Sequence, residues 1–493
     1  MRKLLVANRG EIAVRILRAA REMGIATVAV YSDADADAMH LDFADEAVGI
    51  GKPEPSASYL NGPAILAAAR RTGADAVHPG YGFLSERAEF AEACEQAGIV
   101  FVGPSSKAMR LLGSKTDAKR LAVDSGVPIV PGFFEPGSDA STLFEAADQV
   151  GYPVMLKASA GGGGRGMRVV RRHEEFHHQL ELAGDEALRA FGDGTMMVEK
   201  LIERPRHVEV QILADPHGNV ACLFERECSI QRRHQKLVEE APSVSSGPLW
   251  PEMREAAARL VRAAGYTGAG TVEFIVDEGA GRFYFLEVNA RLQVEHPVTE
   301  AVTGVDIVAW QLRIDRGEVL DLDHTIMGGD RSALKGHSIE IRVIAEDPAM
   351  GFVPSVGKLL AWSEPRGPGI RVDTGFRKGS EVARYYDSLL AKVIVHAETR
   401  NAAIDRLRRA LLDFHILGVK TNIAYMLAVL DHPGFRSGRF DTGFLEREFA
   451  EWTDASPPPP ELGAIAAAAS MEVEEGSQAA SSWAAGDRFR NIV

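Results

Sequence analysis

Residues 157–169 read K-A-S-A-G-G-G-G-R-G-M-R-V. Gly161, Gly162, Gly163 and Gly164 put no side chain in the way of close approach, so the backbone N–H groups can turn toward an anion and wrap it. Lys157 introduces the stretch and Arg165 interrupts it before Gly166. Such a loop has much backbone freedom to lose, and the phosphates of a nucleotide are the simplest ligand to order it. A plain flexible linker has the same composition. The flanks 153–157 and 167–170, however, have the pattern of paired strands, which makes the glycines a lid between them. No G-K-[ST] follows, as Walker A requires, and no helix follows, as the dinucleotide fingerprint requires.

A second stretch carries acids. Segments 271–277 and 282–289 form an antiparallel hairpin about the turn 278–281. With the turn centred near Ala280, Glu273 falls opposite Glu287 and Thr271 opposite Asn289. Carboxylates facing each other across a strand pair repel. A hard divalent cation, Mg2+ or Mn2+, shared with phosphate oxygens, removes that cost. Water on a solvated face would screen it too, but the residues between are apolar and aromatic, as in a buried sheet. The run continues through Glu287, Asn289, Arg291, Gln293 and Glu295, alternating with Val288, Ala290, Leu292 and Val294. While the backbone stays extended, the five polar side chains share one face. An exposed edge strand gives the same alternation, whereas acid, amide and guanidinium groups beside a metal suit a reaction surface. His207, Glu209 and Gln211 make another polar face backed by Val208, Val210 and Ile212. The cationic and amide cluster 225–236 then offers sites for phosphate and a small anion, although such clusters commonly form salt-bridged surface loops. Read singly, His207 is a structural histidine and Cys228 is packing.

These residues need a frame. Across 1–113, short apolar strands (4–7, 26–31, 76–77, 99–102) alternate with helices (11–23, 65–71, 88–97). That rhythm predicts a doubly wound parallel sheet. A smaller α/β piece carrying the lid spans about 131–203 within a region 114–320, where longer hairpin-linked strands take over. A β-rich segment, 334–446, includes the helix 402–412. Beyond Trp452 come Pro457, Pro458, Pro459 and Pro460, a stiff spacer, and then an Ala-, Ser- and Glu-rich stretch (453–493 in all) that reads as disordered or partner-dependent. The net charge of -14 argues against nucleic acid as a partner. Three scattered cysteines exclude a disulfide frame or a cysteine zinc site and fit a reducing cytoplasm. No apolar run is long enough to span a bilayer, and 1–7 lacks the architecture of a signal peptide.

Together these pieces resemble the ATP-grasp family, and within it the biotin carboxylases, over about 2–446. The resemblance runs through V-A-N-R-G-E-I-A-V-R-I from Val6, H-P-G-Y-G-F-L-S-E from His78, the lid, and R-H-V-E-V-Q from Arg206. It continues through E-C-S-I-Q-R-R-H-Q-K from Glu227, E-V-N-A-R-L-Q-V-E-H-P-V-T-E from Glu287, G-H-S-I-E-I-R-V-I-A-E-D-P from Gly336 and Y-Y-D-S-L-L-A-K from Tyr385. It implies three domains: a Rossmann-like N-terminal domain, an ATP-grasp domain with a glycine-rich lid, and a β-rich C-terminal biotin carboxylase domain. It also implies the reaction, in which ATP and bicarbonate give carboxyphosphate and ADP, and the carboxyl group passes to N1 of biotin on a carrier. By that likeness Lys115, Lys157, Glu199, Lys200, Ile202, His207, Gln231 and His234 hold ATP under a lid of Gly161–Gly164 and Gly166. Glu273, Glu287 and Asn289 hold Mg2+ or Mn2+. Lys236, Arg291, Gln293 and Val294 bind bicarbonate, and Glu295 is its base. Arg342 stabilises the biotin enolate and Tyr81 flanks the ureido ring. Ala160 stands where many members have a further glycine, so altered lid mobility is expected.

Arg15, Arg18 and Glu22 lie on a helix that resembles the family's dimer contact; otherwise they are a solvated face. No lysine lies between two methionines, and the last lysine is Lys420, so the biotin carrier and the carboxyltransferase are expected on separate chains. The tail around Trp483 resembles a linker in longer acyl-CoA carboxylases, which suggests docking on a partner or plain disorder. Two rivals remain open: another ATP-grasp ligase acting through an acyl phosphate, and a non-catalytic nucleotide-binding subunit. Nothing in the residues selects the final acceptor among acyl-CoAs, pyruvate and urea.

Overall fold

Apolar residues on both faces of short strands build the N-terminal layer. In a computed structural model that describes residues 1–135, 137–159 and 166–454, β1 (Lys3–Val6), β2 (Ala26–Ser32), β3 (Glu46–Gly51), β4 (Ala76–His78) and β5 (Val100–Phe101) pair in parallel, in the order β3-β2-β1-β4-β5. Leu5, Val28, Val30 and Val77 enter one buried cluster; Leu4, Val6, Ala29 and Ala76 enter another. Burial on both faces is why these strands read as continuous apolar runs. The doubly wound sheet expected from the sequence is present. The sequence reading lacked β3, whose E-A-V-G-I-G includes two glycines that weaken a strand signal.

The next layer is a small antiparallel sheet. It is made of β6 (Gly132–Phe133), β7 (Val154–Ala158), β8 (Met167–Val170) and β9 (Met196–Lys200), in the order β6-β9-β7-β8. β7 and β8 pair as the flanks of the glycine stretch, Lys157 opposite Met167. Glycines 161–164 themselves, like the tail with Trp483, lie outside the described residues.

Longer strands then form an eight-stranded sheet that begins with β10 (Arg206–Ala214), β11 (Val220–Arg232), β12 (Gln235–Ala241), β13 (Gly268–Asp277), β14 (Arg282–Asn289) and β15 (His337–Ile344). The strands Leu389–Ala397 and Ile370–Thr374 complete its far edge. The middle pairing, Val238↔Ile341 and Glu239↔Glu340, joins β12 to β15 and makes one sheet of strands that are a hundred residues apart in sequence. Period-two alternation explains the two faces. Val208, Val210, Ile212, Val272, Phe274 and Val288 turn into the main core. His207, Glu209, Gln211, Thr271, Glu273 and Asn289, equally buried, occupy the other face.

Residues Met1–Ala450 form one compact unit, to which the elements named here belong. On the helix Gly10–Glu22, Arg15 is half-buried, with Nη2 2.7 Å from Asp306 and 2.8 Å from Glu300. Arg18 lies over the Phe43 ring at 4.6 Å, and Glu22 is exposed.

Candidate active site

The polar face of the large sheet, the lid sheet and the segments that follow β1 and β4 (8–12 and 81–83) enclose a cavity of about 980 Å3. Lys115, Lys157, Glu199, Lys200, Ile202, His207, Gln231, His234, Lys236, Glu273, Glu287, Asn289, Arg291, Gln293, Val294, Arg342 and Tyr81 all line it. Residues distant in sequence are therefore brought together much as the motifs require. Glu295 stands immediately behind the lining, fully buried, with its carboxylate 2.7 Å from Lys236 and 3.1 Å from Arg342.

The carboxylate hairpin has the expected register. Glu273 faces Glu287, Thr271 faces Asn289, and an irregularity follows between Glu273 and Phe274. Burial, then repulsion from Glu273, raises the Glu287 carboxyl above its ordinary range. Glu273 is held well below that range despite burial, by Lys236 (2.8 Å) and His207 (2.9 Å). One charged and one reluctant carboxylate side by side, with Asn289 alongside, suit a hard divalent cation. Other groups with ligating atoms within 4.8 Å of one another are His207, Glu209 and Glu273, and Glu209, Cys228 and Glu295. Lys236 lies 2.5 Å from Glu209, 2.8 Å from Glu273 and 2.7 Å from Glu295, so a cation already occupies the middle of that acidic group.

The extended alternation past Asn289 does not persist. β14 ends there, and 290–295 run outside the sheet to the helix His296–Thr303, with Glu295 at its N-cap. Pro297 at the start of that helix explains the change of geometry. The polar groups still converge: Arg291 donates to Asn289 Oδ1 (3.1 Å) and Gln293 Oε1 (3.0 Å).

Charge is arranged differently around Lys119 and Lys157. Lys119 and Lys157 both pair with Glu199, the latter at 2.5 Å. Burial, then repulsion from Lys157 and Lys115, pushes the Lys119 ammonium down to about 7; burial, then Lys115, pushes Lys157 down to about 8. The Glu199 contact opposes both shifts. Buried lysines under such pressure are relieved by an arriving polyanion. Lys200 is different, because its ammonium is committed to the carbonyls of Gly151 (2.8 Å) and Tyr152 (3.1 Å). Arg233 (φ 48) and His234 (φ 65) form a two-residue turn between paired Arg232 and Gln235 and project at the cavity. Gly166, at φ 68, closes the described part of the lid; a Cβ there would meet Ala158 Cβ at 3.0 Å.

Several site residues escape the sequence reading. Lys119 is one helical turn from Lys115 on the helix Lys115–Asp124, a spacing that could have revealed it. Fully buried Arg226 holds Glu209 (2.6 Å), Gln211 (2.7 Å) and Thr299 (3.0 Å). Glu239, pushed up to about 7 by burial against the pull of Arg342, accepts from Arg342 Nε at 2.6 Å. Glu86 pairs with Arg291 at 3.2 Å. Glu295 itself stays ionised: burial raises it, but Lys236, Arg342 and Arg226 together hold it well below the carboxylate range.

Comparison with known proteins agrees with this geometry. Family models match along the chain: biotin carboxylase, N-terminal domain, over 1–109; carbamoyl-phosphate synthase L chain, ATP binding domain, over 114–323; and biotin carboxylase C-terminal domain over 340–447. A biotin carboxylase of Nostoc sp. is 50% identical, over 90% of this chain and 98% of its own length. The methylcrotonoyl-CoA carboxylase subunit alpha of rice is 46% identical over 99% of this chain, which spans 68% of that protein; for the mouse protein the spanned share is 61%. Among solved structures, the biotin carboxylase domain dimer of Hydrogenobacter thermophilus 2-oxoglutarate carboxylase, in complex with MgADP, ADP and bicarbonate, superposes with a TM-score of 0.86. It is 46% identical, over 92% of this chain and 99% of that one.

Proposed function

The chain belongs to the biotin carboxylase family, and from that premise we propose how its own residues carry out ATP- and bicarbonate-dependent carboxylation of biotin, the first half-reaction of an acyl-CoA carboxylase. The observation that carries the assignment of roles is Glu295: a buried carboxylate clamped between Lys236 and Arg342, which hold it well below the usual carboxylate range.

Bicarbonate binds to Lys236, Arg291, Gln293 and Val294. Glu295 takes its proton, and the resulting dianion attacks the γ-phosphorus of ATP. Lys115, Lys119 and Lys157 hold the phosphate oxygens, with Glu199, Lys200, Ile202, His207, Gln231 and His234 around the nucleotide. Preorganised positive charge of this kind stabilises a phosphoryl-transfer transition state. Glu273, Glu287 and Asn289 would hold Mg2+ or Mn2+, which when bound neutralises phosphate charge. The lid, Gly161–Gly164 with Gly166, keeps water from the labile carboxyphosphate. Arg342 is shared between Glu239 and Glu295. It can therefore turn to the oxygen of biotin while Glu239 keeps its hold, with Tyr81 beside the ring. Biotin arrives on a carrier protein, and its carboxyl group leaves through a carboxyltransferase. Among the described residues no helix is long and apolar enough to cross a membrane.

Replacing Glu295→Gln tests the central role. Biotin-dependent turnover should fall by about 10²- to 10⁴-fold, while ATP affinity stays nearly unchanged. Retained turnover would remove Glu295 from the mechanism.

A further inference from the structure

Two motifs noted in the sequence, N-R-G-E-I-A and Y-Y-D-S-L-L-A-K, have no part in the mechanism above, and they meet at one side chain. Lys392 ends the second motif and lies in the strand Leu389–Ala397, fully buried. Its Nζ donates to the Val294 carbonyl at 2.9 Å and pairs with Glu11 at 3.3 Å and Asp373 at 3.6 Å. Glu11, from the first motif, is buried in the first turn of the helix Gly10–Glu22 and accepts the Tyr81 hydroxyl. Lys392 is also the cross-strand partner of Arg342. Two neighbouring cations thus grip consecutive residues of the bicarbonate loop: Arg342 holds the Glu295 carboxylate at 3.1 Å and Lys392 holds the Val294 carbonyl.

Simple structural pairing would not require this arrangement. Asp373 already has Arg371 at 2.8 Å. A fully buried ammonium is costly unless every donor is used, and this one spends a donor on the backbone next to the base. A separate contact fixes the same junction. A Cβ on Gly375 would come within 2.5 Å of the Gly10 backbone and 2.8 Å of the Glu11 nitrogen, so the C-terminal region seats directly on the start of the Glu11 helix.

We propose that Lys392, braced by Glu11, is a positioning residue for two of the reaction's substrates, bicarbonate and biotin. Its ammonium sets the Val294–Glu295 peptide of the bicarbonate pocket, and through Glu11 it sets the Tyr81 phenol beside biotin. This rests on the biotin carboxylation reading and adds to it the coupling of the first and last thirds of the fold to the base.

The test is steady-state kinetics with free biotin and varied bicarbonate on the double variant Glu11→Gln, Lys392→Met, which leaves neither buried charge unpaired, and on Gly375→Ala, which alters no charge. The double variant should lose about 100-fold in kcat/KM for bicarbonate, the scale of a small misplacement of reacting groups, and show a raised KM for biotin. MgATP should still raise its melting temperature as in the unmodified chain, because the lysines of the nucleotide end are untouched. Gly375→Ala should move both parameters the same way by about tenfold, and it carries the test alone if the double variant does not fold. Bicarbonate kinetics within about threefold of the unmodified chain in a folded variant would overturn the proposal, since a purely structural pair changes stability and not this parameter. An unmodified chain that carboxylates no biotin would instead overturn the functional reading beneath it.

Discussion

At the nucleotide end of the cavity, Lys119 and Lys157 share the carboxylate of Glu199, with Lys115 nearby, and burial drives their ammonium groups toward neutrality. At the Glu295 end, Lys236 has three carboxylates within 2.8 Å and Arg342 has two within 3.1 Å, and burial is overruled. Both ends are cationic and buried, yet one is short of negative charge and the other is balanced. The first is built to be completed by a polyanion under a lid. The second holds Glu295 between two cations, which on the proposed reading orients the base before substrate arrives.

Removing one cation from each end should break the comparison most visibly. Lys236→Met removes the cation shared by three buried carboxylates, leaving each with one remaining ion-pair partner (Arg226, His207 and Arg342), and should lower unfolding free energy by about 3–5 kcal/mol. Lys157→Met should leave stability nearly unchanged in denaturant titration, yet weaken ATP binding by about 10- to 100-fold, the worth of a charge-assisted hydrogen bond. Equal losses of stability would mean that the two ends are built alike.

A smaller effect separates the ends by pH. Burial, then Lys115, pushes the Lys157 ammonium down to about 8, and it must be charged to hold phosphate. ATP affinity should therefore fall as pH rises through about 8, and binding above that pH should take up protons, seen as a buffer-dependent heat in calorimetry. Glu295 lies well below the carboxylate range, so it stays ionised as pH falls through the ordinary glutamate range of about 4, while the stability it contributes is lost progressively from there down to its own lower value. Bicarbonate turnover should then show no titration of this group between about pH 5 and 8. Gly166→Ala should act more modestly: positive φ and the crowding by Ala158 cost about 1–3 kcal/mol locally, read as a raised KM for ATP with the KM for bicarbonate unchanged. The smallest effect belongs to Cys228→Ala. Its thiol is buried and pushed far above its ordinary value, first by burial, so turnover should stay within about twofold.

How much of this the sequence shows depends on range. The Glu273–Glu287 facing pair and the β7–β8 flanks of the lid follow from hairpin register, which is set locally. The parallel strands are legible because both faces are apolar, except β3, where glycines dilute the pattern. Alternation misleads beyond Asn289, because Pro297 and the helix behind it draw 290–295 out of the sheet while still aiming Arg291 and Gln293 at the cavity. The β12–β15 pairing, Arg226 beneath Glu209, and the inward turn of Arg15 toward Glu300 and Asp306 are contacts between distant segments. No local period encodes them. Family resemblance supplied the names of the proposed reacting groups, and the structure supplied the difference in charge balance around them.

The claim that Glu295 activates bicarbonate as the nucleophile toward ATP is met most directly by following oxygen. With 18O-labelled bicarbonate, ATP and biotin, the account predicts one labelled oxygen in each phosphate released, because the bond from the attacking oxygen to phosphorus survives loss of the carboxyl group. It also predicts that Glu295→Gln abolishes that labelled product. Phosphate released without label during biotin carboxylation would contradict the account.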